Sequence, residues 1–291
     1  MKKILLFALV AVLAAACLIG CAPQAEAPSE SASASDAGSA SAPADESAAA
    51  ASDDSLQKIK DKGEFIMGMD VSFPPMGFKD ESGNITGFDV EMAQAVADHM
   101  GVKVVFQPID WSSNIMELSS GTVDLLWNGF TITDERKEKL LMSDPYMENT
   151  QVVVVTADSP ITKLSDLAGK KLAVQDGSSA QIAISENKEL SDSIGEQVDF
   201  KDNVTALMDV KTGTVDALAV DSVVANYYLA KTPGEYVILE ETLAPEEYGI
   251  GFRKGEESFM NAVMDALKQM KEDGTAAEIS QKWFGKDVTT F

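Results

Sequence analysis

An apolar run from Ile4 to Ile19, preceded by Lys2 and Lys3, opens the chain, and after it the hydrophobic pattern all but disappears until Ser55. From there to Phe291, short runs rich in β-branched and aromatic residues alternate with stretches in which apolar positions recur every three or four residues. The runs predict strands over Phe65–Met69, Lys103–Gln107, Val123–Trp127, Gln151–Thr156, Lys171–Gln175, Val215–Val220 and Tyr248–Arg253. Between them Asp89–Met100, Ser112–Ser120 and Val204–Thr212 read as helices, each followed by a glycine, the residue that takes up the left-handed turn closing many helices. Strand and helix taking turns predicts an α/β fold.

One internal echo adds to the alternation. Ile115-Met116-Glu117-Leu118-Ser119-Ser120-Gly121-Thr122-Val123-Asp124-Leu125-Leu126 recurs as Leu207-Met208-Asp209-Val210-Lys211-Thr212-Gly213-Thr214-Val215-Asp216-Ala217-Leu218. Both copies read as helix, glycine stop and strand, and two copies suggest two similar lobes, each with its own sheet. In open α/β sheets ligands sit beyond the carboxyl ends of strands. Asn128-Gly129-Phe130-Thr131 and Asp221-Ser222, which come after the two copies, should therefore face a cleft, whereas Asp124 and Asp216 precede their strand ends and should do structural work.

The first run, with its basic start and small-residue end, has the form of a secretory signal, and it is shorter than the ~20 apolar residues that span a bilayer. Leu18-Ile19-Gly20-Cys21 resembles the lipobox of bacterial lipoproteins, in which the Cys is acylated and becomes the first mature residue. From Ala22 to Asp54 the composition is Ala, Ser, Pro, Gly, Gln and acids, with no aromatic and no Lys or Arg. Such a segment cannot bury enough apolar surface to fold, and as a tether of about 33 residues it reaches roughly 30 Å. Residues 1–20 are thus expected to be a signal peptide, and 21–54 a lipidated Cys with a flexible acidic linker.

Charge narrows the partners. The chain carries 23 basic and 47 acidic residues, a net −24, and losing Lys2 and Lys3 with the leader makes the balance more negative still. Nucleic acid and anionic headgroups are poor partners for such a body, so contact with the membrane is expected through the lipid alone. After processing Cys21 is the sole Cys, which rules out an internal disulfide. His99 is the sole His, which argues against Ser-His-Asp and Cys-His catalysis and against His-based metal sites. No P-loop spacing occurs. No cofactor, metal or catalytic residue is expected.

Phe73-Pro74-Pro75, Gly87-Phe88-Asp89-Val90-Glu91, Gly129-Phe130-Thr131-Ile132-Thr133-Asp134-Glu135-Arg136, Ser143-Asp144-Pro145-Tyr146 and Val174-Gln175-Asp176-Gly177-Ser178-Ser179 occur in order along the body. Together they resemble the polar amino-acid family of solute-binding proteins, the extracytoplasmic receptors of ABC importers. The resemblance runs from about Ser55 to the C-terminus. It implies two α/β lobes joined by two hinge strands, the type II periplasmic-binding-protein architecture, closing on ligand like a clam. The implied first lobe is residues 55–149, the second 150–243, and 244–291 return to the first, with crossings near Glu148–Val152 and Thr242–Tyr248. The implied role is capture of a polar amino acid at the outer face of the cytoplasmic membrane and delivery to an ABC permease, by a protein expected to be a monomer. Alternatives are a dehydratase-type enzyme on the same fold and a ligand-sensing accessory protein.

The chemistry of such a site can be argued without the family. Binding a free amino acid in a closed cleft desolvates a carboxylate and an ammonium, and each needs a charged, hydrogen-bonded partner. Arg suits the carboxylate through its planar fork, and the chain has only Arg136 and Arg253. Thr133 reads as the N-cap of the helix carrying Arg136. By resemblance Arg136 grips the ligand carboxylate with help from Gly129, Thr131 and a backbone N–H near Ser179, and Asp221 accepts the ammonium, although Asp221 also suits a helix cap. Phe73 and Trp111 match positions that pack on the ligand side chain, with cation–π attraction if its tip is charged, and Asp70 matches one that meets the polar tip. Two carboxylates there lean towards a cationic or amide tip. Asp89 fits either a second pocket carboxylate or a helix N-terminus. Asn128 departs from the small residue the family places before Gly129, and Trp283 and Phe284 read as core packing.

Overall fold

The computed structural model describes residues 53–291, so the signal peptide, Cys21 and nearly all of the linker lie outside the described residues. The chain enters through α1 (Ser55–Lys62) and β1 (Glu64–Met69). It then makes a small meander of β2 (Ser72–Phe73), β3 (Gly77–Lys79) and β4 (Ile85–Thr86), and continues as α2 (Phe88–Met100), β5 (Lys103–Pro108), α3 (Asn114–Ser119), β6 (Leu125–Thr131), α4 (Asp134–Lys139) and β7 (Leu141–Met142). The long strand β8 (Met147–Thr156) leads to β9 (Lys171–Gln175), α5 (Ser179–Glu186), α6 (Lys188–Ser193), β10 (Glu196–Phe200), α7 (Asn203–Thr212), β11 (Ala217–Asp221), α8 (Ser222–Lys231) and β12 (Tyr236–Ile238). A second long strand, β13 (Ala244–Phe252), leads back to α9 (Glu257–Glu272) and α10 (Thr275–Phe284).

The main sheet runs β10-β9-β11-β8-β13-β6-β1-β5. Two parallel triplets, β5-β1-β6 and β10-β9-β11, flank an antiparallel pair, β8 and β13, in register from Ala244 opposite Gln151 to Tyr248 opposite Met147. These two strands carry the chain from one triplet to the other and back, and the molecule has the expected α/β fold. Parallel strands covered on both faces read as continuous apolar runs, and every residue of β6 is buried. On the first triplet's outer side α9 sends Phe259, Val263, Leu267 and Met270 inward at helical spacing. Each such side chain contributes about 1.5–3 kcal/mol by leaving water.

The echo is reproduced bond by bond. Ser120 pairs its hydroxyl with that of Thr122 at 2.9 Å, and Thr212 with Thr214 at 3.0 Å. Gly121 and Gly213 take φ of 80° and 75°. Asp124 accepts from the backbone N–H of Ile66 on β1, and Asp216 from that of Lys171 on β9, both at 2.8 Å. The two aspartates therefore pin β6 and β11 to the central strand of their triplets, the structural work expected of them. Trp283 and Phe284 pack edge-on to Phe78 and Phe88, as core packing predicts.

The sequence reading differs at β6. This strand runs on to Thr131 instead of stopping at Trp127, so Asn128 to Thr131 are its last residues, not a loop after it. The added length is stabilised from outside the triplet, because Thr131 and Phe130 pair with Tyr248 and Gly249 of β13. The predicted helix from Ser112 begins as a 3₁₀ turn, Trp111–Ser113, capped by Asp110, before α3 starts.

Candidate functional site

The carboxyl ends of β6, β9 and β11 converge on β8 and β13, and the chemistry-bearing side chains gather there. Thr133 caps α4 by accepting from the backbone N–H of Arg136 at 3.1 Å, which fixes the first turn and directs the Arg136 side chain inward. The guanidinium is buried, lies 4.0 Å above the Phe130 ring and donates to the Thr131 carbonyl at 2.7 Å. Its other nitrogen reaches the Gly177 carbonyl at 3.5 Å. Burial pulls its pKa down to about 10, against the pull of Glu246, Asp221 and Glu135, so it stays a cation. Arg253 differs in kind: it pairs with Glu256 at 2.8 Å and Asp124 at 3.4 Å and donates to the carbonyls of Val123 and Leu118. Among the described residues, Arg136 has carbonyl oxygens and no carboxylate as hydrogen-bond partners.

Asp221 ends β11 and is buried. Its Oδ1 accepts from Tyr248 Oη at 2.6 Å and Asn149 Nδ2 at 2.8 Å, and its side chain makes no capping bond to α8, which removes the helix-cap alternative. Burial, and next the charge of Glu246, push its carboxyl up to about 7. Thr131 and Ser179 meet hydroxyl to hydroxyl at 3.0 Å, joining the end of β6 to the start of α5. Glu246 of β13 stands beside them, accepting from Thr131 at 3.2 Å, Asn149 at 3.1 Å and Gln151 at 2.9 Å.

At the other end, buried Asp70 comes directly after β1. Its Oδ1 accepts from the backbone N–H of Ser72 at 2.8 Å and its Oδ2 from Gln175 Nε2 at 2.7 Å, a bond between the two triplets' ends; burial raises its pKa to about 6. Asn203 holds the far side of the Gln175 amide at 3.0 Å. Beside Asp70, Lys201 and Asp110 pair at 3.2 Å, and Asp70, Ser72, Trp111, Lys201 and Asp202 are among the residues lining a cavity of about 290 Å³. Phe73 lies against Gly129, where a Cβ would come within 2.8 Å of its ring and 3.2 Å of Tyr248. Trp111 meets Phe130 edge to face at 5.8 Å, on the ring that carries Arg136. Gly177, at φ 71°, lets the backbone after β9 approach so closely that a Cβ there would stand 2.8 Å from Ser112 Cα.

The structure thus joins Arg136, Thr131 and Ser179 directly, and Asp221 to them through Asn149 and Glu246. Phe73 packs against Gly129, two residues before Thr131 on the same strand, and Asp70 bonds Gln175 at the end of β9. The Gly129 N–H is already given to Asp89 Oδ2 at 2.8 Å, so what this residue offers a ligand is its carbonyl and the room left by its missing side chain. Asp89 is fully buried, also accepts from Tyr146 at 2.9 Å, and is pushed up to about 7 by burial; it positions the β6 backbone and is not a pocket carboxylate. Asn128 accepts from the Asp70 backbone N–H at 3.1 Å and sets where that residue sits. His99 binds the Ala95 carbonyl and Asp273 near the end of α2. Asn149, Gln151, Gln175, Glu246 and Tyr248 went unassigned in the sequence. Gln175 stood within a recognised motif, and a period-two polar pattern on β8, Asn149 then Gln151, was the remaining signal.

The profile of the bacterial extracellular solute-binding proteins, family 3, matches residues 65–286. The L-cystine-binding protein TcyJ of Escherichia coli is 34% identical over 236 residues, 80% of this chain and 87% of its own. The arginine-binding extracellular protein ArtP of Bacillus subtilis is 34% identical over 225 residues, 77% of this chain and 87% of its own. A crystal structure of an ABC uptake transporter substrate-binding protein from Streptococcus pneumoniae with bound histidine superposes with a TM-score of 0.79 at 38% identity, covering 82% of this chain and 99% of that one. These relatives are binding proteins, not enzymes. Among the described residues no helix is long and apolar enough to cross a membrane.

Proposed function

The chain belongs to the bacterial extracellular solute-binding proteins, family 3, and from that premise we propose that it captures a polar amino acid outside the cell membrane and hands it to an ABC permease. The observation that carries this reading is the buried guanidinium of Arg136, which has no carboxylate as hydrogen-bond partner among the described residues and shares one polar cluster with a buried acceptor, Asp221. A zwitterion supplies both missing partners. Arg136 takes the carboxylate with Thr131 and the N–H at Ser179, and Asp221 takes the ammonium. The ligand side chain runs past Phe73 and Trp111 towards Asp70. A carboxylate at that end favours a cationic tip over an amide one, since a cation relieves the cost of burying Asp70. The lobes are residues 55–149 with 244–291, and 150–243, closing about β8 and β13. Cys21 carries the lipid and the linker lets the monomeric body reach a permease.

A thermal-shift panel of L-arginine, L-lysine, L-histidine, L-glutamine and L-cystine tests the reading. At about 1,000 times its Kd a ligand adds about 4 kcal/mol, or roughly 8–16 °C for a body of this size. The largest shift is expected with a cationic member. No shift with any of the five, or with a wider amino-acid set, would overturn it.

A further inference from the structure

Away from the polar cluster, the two halves of the molecule also meet through aromatic rings. Phe78 of β3 and Trp283 of α10 belong to the half built on the first triplet, where α10 packs on α2 and α9. Tyr227 belongs to α8, which packs on β8 and β11 of the other half. The centroids of Phe78 and Tyr227 are 5.6 Å apart with their planes inclined at 58°, within the range of about 4.5–7 Å where tilted and edge-on aromatic pairs attract. Trp283 meets Phe78 edge-on at 6.0 Å, and Tyr228 backs Tyr227 edge-on at 5.3 Å. Phe78 is thus held between a ring of its own half and a ring of the other. Cavities open on either side of the contact. One, of about 700 Å³, has Pro74 and Phe78 on one wall and Tyr227 and Tyr228 on the other. The second, of about 480 Å³, has Trp283 and Phe284 on one wall and Val223 and Tyr227 on the other. Tyr227 lines both, so the Phe78–Tyr227 pair is a narrow apolar link between two gaps. The indole N–H of Trp283 is buried and has no hydrogen-bond partner among the described residues, a cost that contact with water would remove. Attraction between rings and an unpaired donor oppose each other here, which suits the link to being made and broken.

Resting on the receptor reading and its two closing lobes, we propose that Phe78, Tyr227 and Trp283 form an interlobe clasp, which holds a share of the ligand-free molecules closed and thereby raises affinity from outside the binding site. None of these rings belongs to the candidate ligand site. A contact made only when the lobes are together adds its free energy to closure whatever the ligand is. Its loss lowers the closed population and reduces every affinity by one common factor. A residue that touches the ligand instead changes affinities by factors that differ from one ligand to the next.

The test uses Tyr227→Ala to break the clasp and Tyr227→Phe to keep the ring without its hydroxyl, on the mature protein. Phe78→Leu breaks the clasp from the other lobe and serves if Tyr227→Ala does not fold. Calorimetry with L-arginine, L-histidine and L-glutamine should show every ligand that binds wild type weakened in Tyr227→Ala by the same factor, about 3- to 10-fold, the worth of one or two aromatic pairs. Tyr227→Phe should stay within about 2-fold of wild type, since the ring contact is kept. Small-angle X-ray scattering of the ligand-free proteins should give a larger radius of gyration for Tyr227→Ala and the wild-type value for Tyr227→Phe. Equal radii, unchanged affinities, or losses that differ between ligands would each overturn the clasp. If wild type bound no amino acid, the receptor reading would fall by itself; a larger radius in Tyr227→Ala would then still support the clasp, and equal radii would overturn it as well.

Discussion

Arg136 and Arg253 give a direct way to separate a ligand-gripping cation from a structural one. Arg136 is buried on carbonyls and an aromatic face, is hydrogen-bonded to no carboxylate among the described residues, and its desolvation outweighs the more distant pull of Glu246, Asp221 and Glu135. Removing it therefore relieves a cost as well as losing packing on Phe130, and the ligand-free stability of Arg136→Ala should change by no more than about 1 kcal/mol. Its affinity should fall steeply, since losing one member of a buried, hydrogen-bonded charge pair costs about 2–5 kcal/mol, or roughly 30-fold and upward. Arg136→Lys should recover little of this, because a point charge cannot reproduce the fork that meets a carboxylate. Arg253→Ala should behave in the opposite sense. It strands Glu256 and two carbonyls that now share a guanidinium, costing about 1–3 kcal/mol, or several degrees at roughly 2–4 °C per kcal/mol, with affinity intact. Calorimetric titration and thermal unfolding of the three variants read both quantities. If Arg136→Ala keeps wild-type affinity while losing several degrees, Arg136 is a structural residue and the carboxylate site lies elsewhere.

Stability and affinity should also depend on pH, in opposite directions. Asp221 sits at about 7 and Asp70 at about 6, both above the ordinary 3.8 because of burial; the unfolded chain gives up these protons first, so ligand-free stability should fall as pH rises from about 4 to about 7 and then level. An ammonium needs the ionised form of Asp221, so affinity should rise through the upper part of that window, and Asp221→Asn should bind weakly with no such slope; a flat wild-type profile in titrations at several pH values would contradict the assignment. For the anchor, Cys21→Ser should move the protein from the membrane fraction to the medium or periplasm, and retention in the membrane would sink the lipid reading.

The elements and the site were legible to different depths. Strands whose apolar run is their own signature, such as Lys171–Gln175, come out with the same bounds from sequence and structure. The end of β6 does not, because Asn128 and Gly129 are poor strand formers by themselves: Gly129 takes φ 59°, and the strand is carried past it only by pairing with β13 and by the Asp89 carboxylate on its N–H. Within the candidate site, Arg136 and Asp221 could be proposed from sequence because each is the residue type that a carboxylate or an ammonium would demand, in the segments that follow the two echoed units. Glu246 could not. It is one of four acids in Glu240-Glu241 and Glu246-Glu247, all alike in sequence, and only the pleat of β13 decides that Glu246 turns to Thr131 and Gln151 while Glu247 faces solvent.

The echo and the site are linked by a physical argument about charge. Two similar helix–strand units end at the inner strands β6 and β11, each pinned by an equivalent aspartate to the centre of its triplet. The units differ in their continuations: the first runs on to a buried cation, Arg136, and the second stops at a buried anion, Asp221. One scaffold thus presents opposite charges from its two halves, each too costly to bury without a partner. In the receptor reading, a zwitterion is the ligand whose own charges meet both at once. A ligand with only one of them would leave a desolvated charge on one half and gain little from bringing the halves together. Closure about β8 and β13 is then coupled to recognition of the amino-acid backbone itself, and the tip at Asp70 is left to choose among side chains.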